Sequence, residues 1–181
     1  MKRRKQILYV LGGLALLFLV LTVGWMVTEA GFEATSNAEF CGVCHVMQPM
    51  VAAYHDSVHG GNNPAGVAAS CSDCHIDHSN PVAYYYSKAR SGTIDTWVAL
   101  TSNEFAIDWQ ARREERKRFV YDSGCLQCHS NLADVSAGKD AHAKYFAGLI
   151  DAQCVDCHES VGHANLNEHL LLMEVQHKYA P

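Results

Sequence analysis

From Ile7 to Val27 the chain runs for 21 residues without a charged side chain. At about 1.5 Å per residue, a helix of that length is roughly 31 Å long, which matches the roughly 30 Å hydrocarbon core of a bilayer. The pattern predicts one membrane-spanning helix. A cleaved export signal would share the basic start and the small residues near Ala30. The apolar region of such a signal, however, is normally only about 7 to 15 residues long. Lys2, Arg3, Arg4 and Lys5 immediately precede the span, and cationic residues are retained on the cytoplasmic side. The expected layout is a basic tip and retained anchor over residues 1–28, with the N-terminus in the cytoplasm, and an exported domain over residues 29–181. In a bacterium this is a single-pass protein of the inner membrane whose domain faces the periplasm.

Beyond the anchor no run alternates apolar and polar residues at period two, so nothing argues for a sheet. Pro81 to Arg90, Glu104 to Tyr121 and Leu166 to His177 have helix-compatible composition. Turn-forming stretches such as Gly60-Gly61-Asn62-Asn63 separate the elements. The predicted fold is mostly α with long loops.

Charge narrows the partners. Four of the 14 Lys and Arg residues lie in the N-terminal cluster, which leaves 10 to face all 19 Asp and Glu residues in the exported part. An acidic domain argues against nucleic acid and favours docking to basic patches on other proteins. The mixed run from Arg112 to Arg118 reads most simply as a solvated helix face with pairs three or four residues apart.

All eight cysteines fall into four copies of one pattern: Cys41-Gly-Val-Cys44-His45, Cys71-Ser-Asp-Cys74-His75, Cys125-Leu-Gln-Cys128-His129 and Cys154-Val-Asp-Cys157-His158. Two thiols three positions apart reach the two vinyl groups of one haem, and the histidine that follows points at the iron. Disulfides or zinc would use paired cysteines too, but neither explains a histidine after every second cysteine. The motifs imply four covalently bound haem c groups, which would fill most of the core. They also agree with export, because haem is attached to apocytochromes in the periplasm.

The first cysteines of successive motifs are 30, 54 and 29 residues apart, a pair, a gap and a pair. This predicts two duplicated dihaem units, at about residues 38–80 and 122–165, joined by a connector at about 81–121. A low-spin iron needs a second axial ligand, and seven histidines lie outside the motifs. His59 lies 18 residues after Cys41 and His142 lies 17 after Cys125, so both are candidate distal ligands. His163, five residues after His158 and so expected beside the fourth motif, is the third. His55 could share a helical face with His59 and competes with it. In the first motif Met47 stands two residues beyond His45 and is either a thioether ligand, which would raise the potential, or a packing residue against the haem.

The anchor, the two pairs of motifs, the Cys-x-x-Cys-His-x-Met variant ending at Met47 and the Cys-Val-Asp-Cys-His-x-x-x-x-His run ending at His163 resemble the NapC/NirT/NrfH family of tetrahaem quinol dehydrogenases. The short chain is most similar to the NrfH branch, which feeds cytochrome c nitrite reductase. The resemblance implies that Met47 binds the first iron in place of His45, that His75, His129 and His158 bind the other three, and that His59 and His163 are distal ligands. It also likens the segment from Lys88 to Trp97 to a quinol site. There Lys88 would donate to a quinol oxygen, and Asp95 would accept a proton or close the sixth position of the first iron. The implied function is oxidation of menaquinol or ubiquinol from the lipid bilayer. Electrons would go to a periplasmic multihaem reductase, cytochrome c nitrite reductase in the NrfH case, within a hetero-oligomer. In the NrfH branch a partner subunit can supply a haem ligand, whereas His59, His142 and His163 would complete the second to fourth haems from this chain alone. The alternative is a NapC-like or general relay to another reductase without a quinol site, which would have no need of Lys88, Asp95 and Met47.

Overall fold

The computed structural model describes residues 2–179, apart from the side chain of Glu104. It divides into two compact units, residues up to Ser36 and residues from Asn37 onward. The first is a single helix, α1 (Lys2–Ala34), that contains the whole uncharged run. None of its residues is buried. Among the described residues it is the one helix long and apolar enough to cross a membrane. Lipid is a solvent in which such a surface is stable, because the backbone groups along the middle of a helix are satisfied within it.

The second unit is built from short helices and loops: α2 (Ala38–Cys41), α3 (Gln48–Asp56), α4 (Cys71–His75), α5 (Pro81–Thr101), α6 (Trp109–Glu114), α7 (Asp122–Cys128), α8 (Leu132–Val135), α9 (Asp140–Phe146), α10 (Cys154–Cys157) and α11 (Leu166–Tyr179). No strand occurs among the described residues, and the one isolated β-bridge joins Gly60 to Ala68. The expected helical stretch at Pro81 continues beyond Arg90 to Thr101, because no proline interrupts it. Pro81 sits in the first turn, where its missing N–H costs nothing, and Asn80 Oδ1 accepts from the Ala83 N–H at 3.0 Å. Glu104 to Tyr121, expected as one helix, is instead broken into α6 flanked by two 3₁₀ turns. Its basic residues there reach different partners: Arg116 pairs with Glu159 at 2.8 Å and Lys117 with Asp156 at 2.8 Å, fastening this segment to the fourth motif.

The even-numbered motifs begin their helices in the same way. In each, the Asp of Cys-x-Asp-Cys turns back to accept a backbone N–H just before the helix: Asp73 from Ser70 at 2.7 Å and Asp156 from Gln153 at 2.8 Å. The carboxylate thereby satisfies an orphan donor and sits at the positive end of the helix. Helix α7 lies tight against α4. A Cβ placed on Gly124 would fall 1.8 Å from the Asp73 carbonyl oxygen, and the Tyr121 N–H donates to the Cys74 carbonyl at 3.0 Å. The loop after α4 ties in a third element: Ser123 Oγ donates to Asp77 at 2.9 Å, and the Asp77 N–H donates to Ser87 Oγ of α5 at 3.0 Å. Helix α11 closes the unit by packing along α3, where His169 Nε2 meets Asp56 Oδ2 at 2.7 Å.

Asp122 couples the third motif to the fourth. One of its carboxylate oxygens accepts from the Cys154 N–H at 2.9 Å, and the other accepts from the Tyr145 hydroxyl at 2.6 Å. Asp122→Ala leaves both donors without their partner and is expected to cost about 2 kcal/mol. Denaturant unfolding of the purified protein, followed by haem absorbance, would measure that loss.

Buried apolar residues are few and small: Ala38, Val46, Ala53, Ile76, Val155 and Leu166. No large side chain among the described residues is fully buried. A protein part of this size ordinarily has a denser apolar centre, and here most of the motif cysteines and facing histidines are only half-buried.

Candidate functional site

Six of the histidines meet in three facing pairs. The ring centres of His59 and His129 are 6.2 Å apart, those of His75 and His163 are 6.1 Å apart, and those of His142 and His158 are 6.2 Å apart. These gaps are too wide for ring contact and are nearly equal. Two imidazoles on one metal, with metal–nitrogen bonds of about 2 Å and about 1.1 Å from nitrogen to ring centre, stand about 6.2 Å apart. The spacing fits one iron between the rings of each pair.

Tautomers support the same arrangement. His75 Nδ1 lies 2.6 Å from the Phe119 carbonyl oxygen and His163 Nδ1 lies 3.0 Å from the Met50 carbonyl oxygen. A carbonyl can only accept, so both Nδ1 atoms carry the proton and each Nε2 keeps its lone pair for a metal. Burial pushes the His163 pKa down to about 4, and burial lowers His59 and His75 as well. All three are therefore neutral, the form that ligates.

The other histidines are committed elsewhere. His78 Nε2 lies 3.0 Å from the Ser72 carbonyl and must donate there. His169 pairs with Asp56, and His177 stacks on Phe105 with ring centres 3.8 Å apart. His55, the competitor of His59, is exposed. At the first motif His45 is also exposed, while Met47 is half-buried at the end of the 3₁₀ turn that leads into α3.

The pairing differs from what spacing suggests. His163 follows the fourth motif closely, but its ring turns to the second. The turn is made by Gly162 at φ +78° and by Asn165, a non-glycine residue at φ +55°. His59 and His142 occupy matching places in the two halves of the sequence, yet His59 faces the third motif and His142 the fourth. His59 is set by a loop pinned at both ends. The Ala69 N–H donates to its carbonyl at 2.8 Å, and Gly60 passes so near Tyr54 that a Cβ there would lie 1.9 Å from a carbonyl oxygen.

No disulfide joins any of the eight cysteines, and burial disfavours a bare thiolate at Cys74 and Cys154. Zinc takes thiolates, and among the described residues no three or more His, Cys, Asp or Glu side chains converge on one point. The thiols lie in motif order. Cys41 is within hydrogen-bonding reach of Cys71, Cys74 feels the charges of Cys125 and Cys128, and Cys125 is within reach of Cys154. The four attachment points thus form a continuous series.

Lys88 and Asp95 lie two turns apart on one face of α5. Lys88 Nζ donates to Ser72 Oγ at 3.0 Å, a hydroxyl between the cysteines of the second motif. Both residues are within electrostatic range of the Cys41 thiol, so they stand beside the first motif. Burial lowers Lys88 and raises Asp95, drawing both toward neutrality. Asp95 is exposed as a residue, yet the protein packed around its carboxyl still raises its pKa.

Thioether-spaced cysteines in series, with histidines facing across iron-sized gaps, define a multihaem c-type cytochrome. The comparisons give the family. Residues 2–168 match the model of the NapC/NirT cytochrome c family, N-terminal region, and the chain belongs to that family. It is 32% identical over 156 residues to the cytochrome c-type protein NapC of Escherichia coli K12, covering 78% of this chain and 75% of that one. It is 29% identical to the cytochrome c-type protein TorY of Escherichia coli O157:H7, over 83% of this chain but only 45% of TorY, so it spans less than half of that relative. In three dimensions it is similar to a chain of the cytochrome c nitrite reductase NrfHA complex bound to the inhibitor HQNO. The TM-score is 0.52 at 25% identity, over 86% of this chain and 90% of that one. The chain is therefore a c-type cytochrome of that family, which carries covalently bound haem c.

Proposed function

We propose that this chain is a tetrahaem quinol dehydrogenase of the inner membrane, with its N-terminus in the cytoplasm and its haem domain in the periplasm. It oxidises menaquinol or ubiquinol and delivers the electrons to a periplasmic reductase within a hetero-oligomer. The observation that carries the reading is the placement of Lys88 and Asp95 on one face of α5 against the first two motifs. A relay that never met quinol would have no use for a half-buried cation and a carboxyl of raised pKa at that position.

The residues have distinct parts. The cysteines Cys41, Cys44, Cys71, Cys74, Cys125, Cys128, Cys154 and Cys157 hold four haem c groups. His75 with His163, His129 with His59, and His158 with His142 bind three irons, and Met47 binds the first in place of the exposed His45. Haem, when bound, takes up electrons one at a time. Lys88 donates a hydrogen bond to a quinol oxygen and stabilises negative charge as it develops there. Asp95 accepts a proton. Oxidation of one quinol releases two electrons and two protons, so a proton acceptor beside the entry point is required.

Two relatives suggest two reductases. Likeness to the NrfHA complex supports nitrite reductase as the acceptor, and likeness to NapC supports another periplasmic reductase. Three facing pairs supplied from one chain favour the second, because no ligand from a partner is needed to complete them.

The test is anaerobic mixing of the detergent-solubilised protein with a menaquinol analogue, with dithionite as the control reductant. Rapid haem reduction by the quinol supports the reading, and full response to dithionite with none to quinol leaves the passive relay. Because Asp95 must be deprotonated to accept a proton, and burial raises its pKa, the rate should climb with pH through a value above the usual carboxylate range. In Asp95→Asn that rise should be absent. Met47→Ala should alter the spectrum of one haem and leave the other three unchanged.

A further inference from the structure

The three histidine pairs are not equivalent in what stands behind the rings. In the pair facing the second motif, both Nδ1–H groups donate to backbone carbonyls, His75 to Phe119 at 2.6 Å and His163 to Met50 at 3.0 Å. In each of the other pairs one ring has an Nδ1 that is shut away from water and has no partner: His59 in the pair with His129, and His142 in the pair with His158. An imidazole whose Nδ1–H donates a hydrogen bond to an acceptor becomes a more basic ligand through Nε2, and basic ligands favour the more highly charged metal. Outer hydrogen bonding of this kind is one of the levers that set a haem potential.

Resting on the axial pairing proposed above, we infer that the iron held by His75 and His163 has the lowest potential of the three bis-histidine centres. The carbonyls of Phe119 and Met50 set that value. Lys88, through Ser72, and Asp95, through its effect on His75, stand beside this centre. Asp122 stands between the third and fourth motifs, where it accepts two hydrogen bonds. The first centre is set apart by Met47, since methionine ligation raises the potential.

The position of this centre gives the inequality a use. The second attachment site lies between the first and the third in the series of thiols. A low-potential step there is crossed one electron at a time and slows passage in both directions, so it separates the quinol side from the third and fourth motifs.

The experiment is an equilibrium redox titration of the full-length, haem-loaded protein in detergent, followed by absorbance and electron paramagnetic resonance. Wild type is set beside His163→Met, His59→Met and His142→Met. Replacing a histidine ligand by methionine raises the potential of its own centre, which labels that centre in the titration. The last centre to be reduced in wild type should move to higher potential in His163→Met and stay in place in the other two variants. If His163→Met does not accumulate with haem, an unmoved last step in both His59→Met and His142→Met supports the inference. A last step that shifts in either of those two overturns it. A His163→Met protein with spectra identical to wild type overturns the axial pairing itself, and the inference with it.

Discussion

Lys88→Gln is expected to reduce quinol-driven haem reduction at least ~100-fold, the scale typical of losing one positioned charge-stabilising donor, while reduction by dithionite stays complete. The side chain lies on α5 with its ammonium 3.0 Å from Ser72 Oγ, and burial lowers its pKa. Glutamine keeps most of the length and a hydrogen-bond donor but removes the charge. A loss in Lys88→Gln therefore reports charge stabilisation at the quinol oxygen. Stopped-flow absorbance with a menaquinol analogue checks the outcome, and a variant as fast as wild type would remove Lys88 from the site.

The second large effect is structural. Gly124→Ala should destabilise the domain by about 3 kcal/mol, near the upper end for overpacking, because the new methyl would lie 1.8 Å from the Asp73 carbonyl oxygen. The obstacle is backbone, which cannot rotate away. Relief requires α7 to part from α4, and α7 carries Cys125 and Cys128 while α4 carries Cys71 and Cys74. The haem spacing between the second and third motifs would change with it. The measurement is the denaturant midpoint of the haem-loaded protein, with its yield per cell as a second readout. A midpoint equal to wild type would show that the contact is not as close as the structure gives.

Much of the chemistry was legible in the sequence because it is carried by local spacing. The cysteine motifs, the anchor and the candidate histidines His59, His142 and His163 are all features of a few consecutive residues or of a simple length. What spacing could not supply is direction. Gly162 and Asn165 at positive φ swing His163 toward His75, and a pinned loop carries His59 across to the third motif. Both are outcomes of long-range packing, which a repeat in the sequence does not encode. The segment from Glu104 to Tyr121 was misjudged for a related reason. Its helix-forming composition yields to Arg116 and Lys117, which turn aside to reach Glu159 and Asp156. The acceptors behind His75 and His163 are main-chain carbonyls, which carry no residue-type signature, so nothing in the composition marks them. Ser72, the partner of Lys88, and Asp122, the link between the last two motifs, were ordinary polar residues until their neighbours were known.

The account rests on a retained anchor and four covalent haems in one chain, and the intact mass of the protein extracted from membranes tests both at once. A mass equal to the full sequence plus four haem groups is the predicted result. A smaller number of haems, or a chain that begins after Ala30, would contradict it.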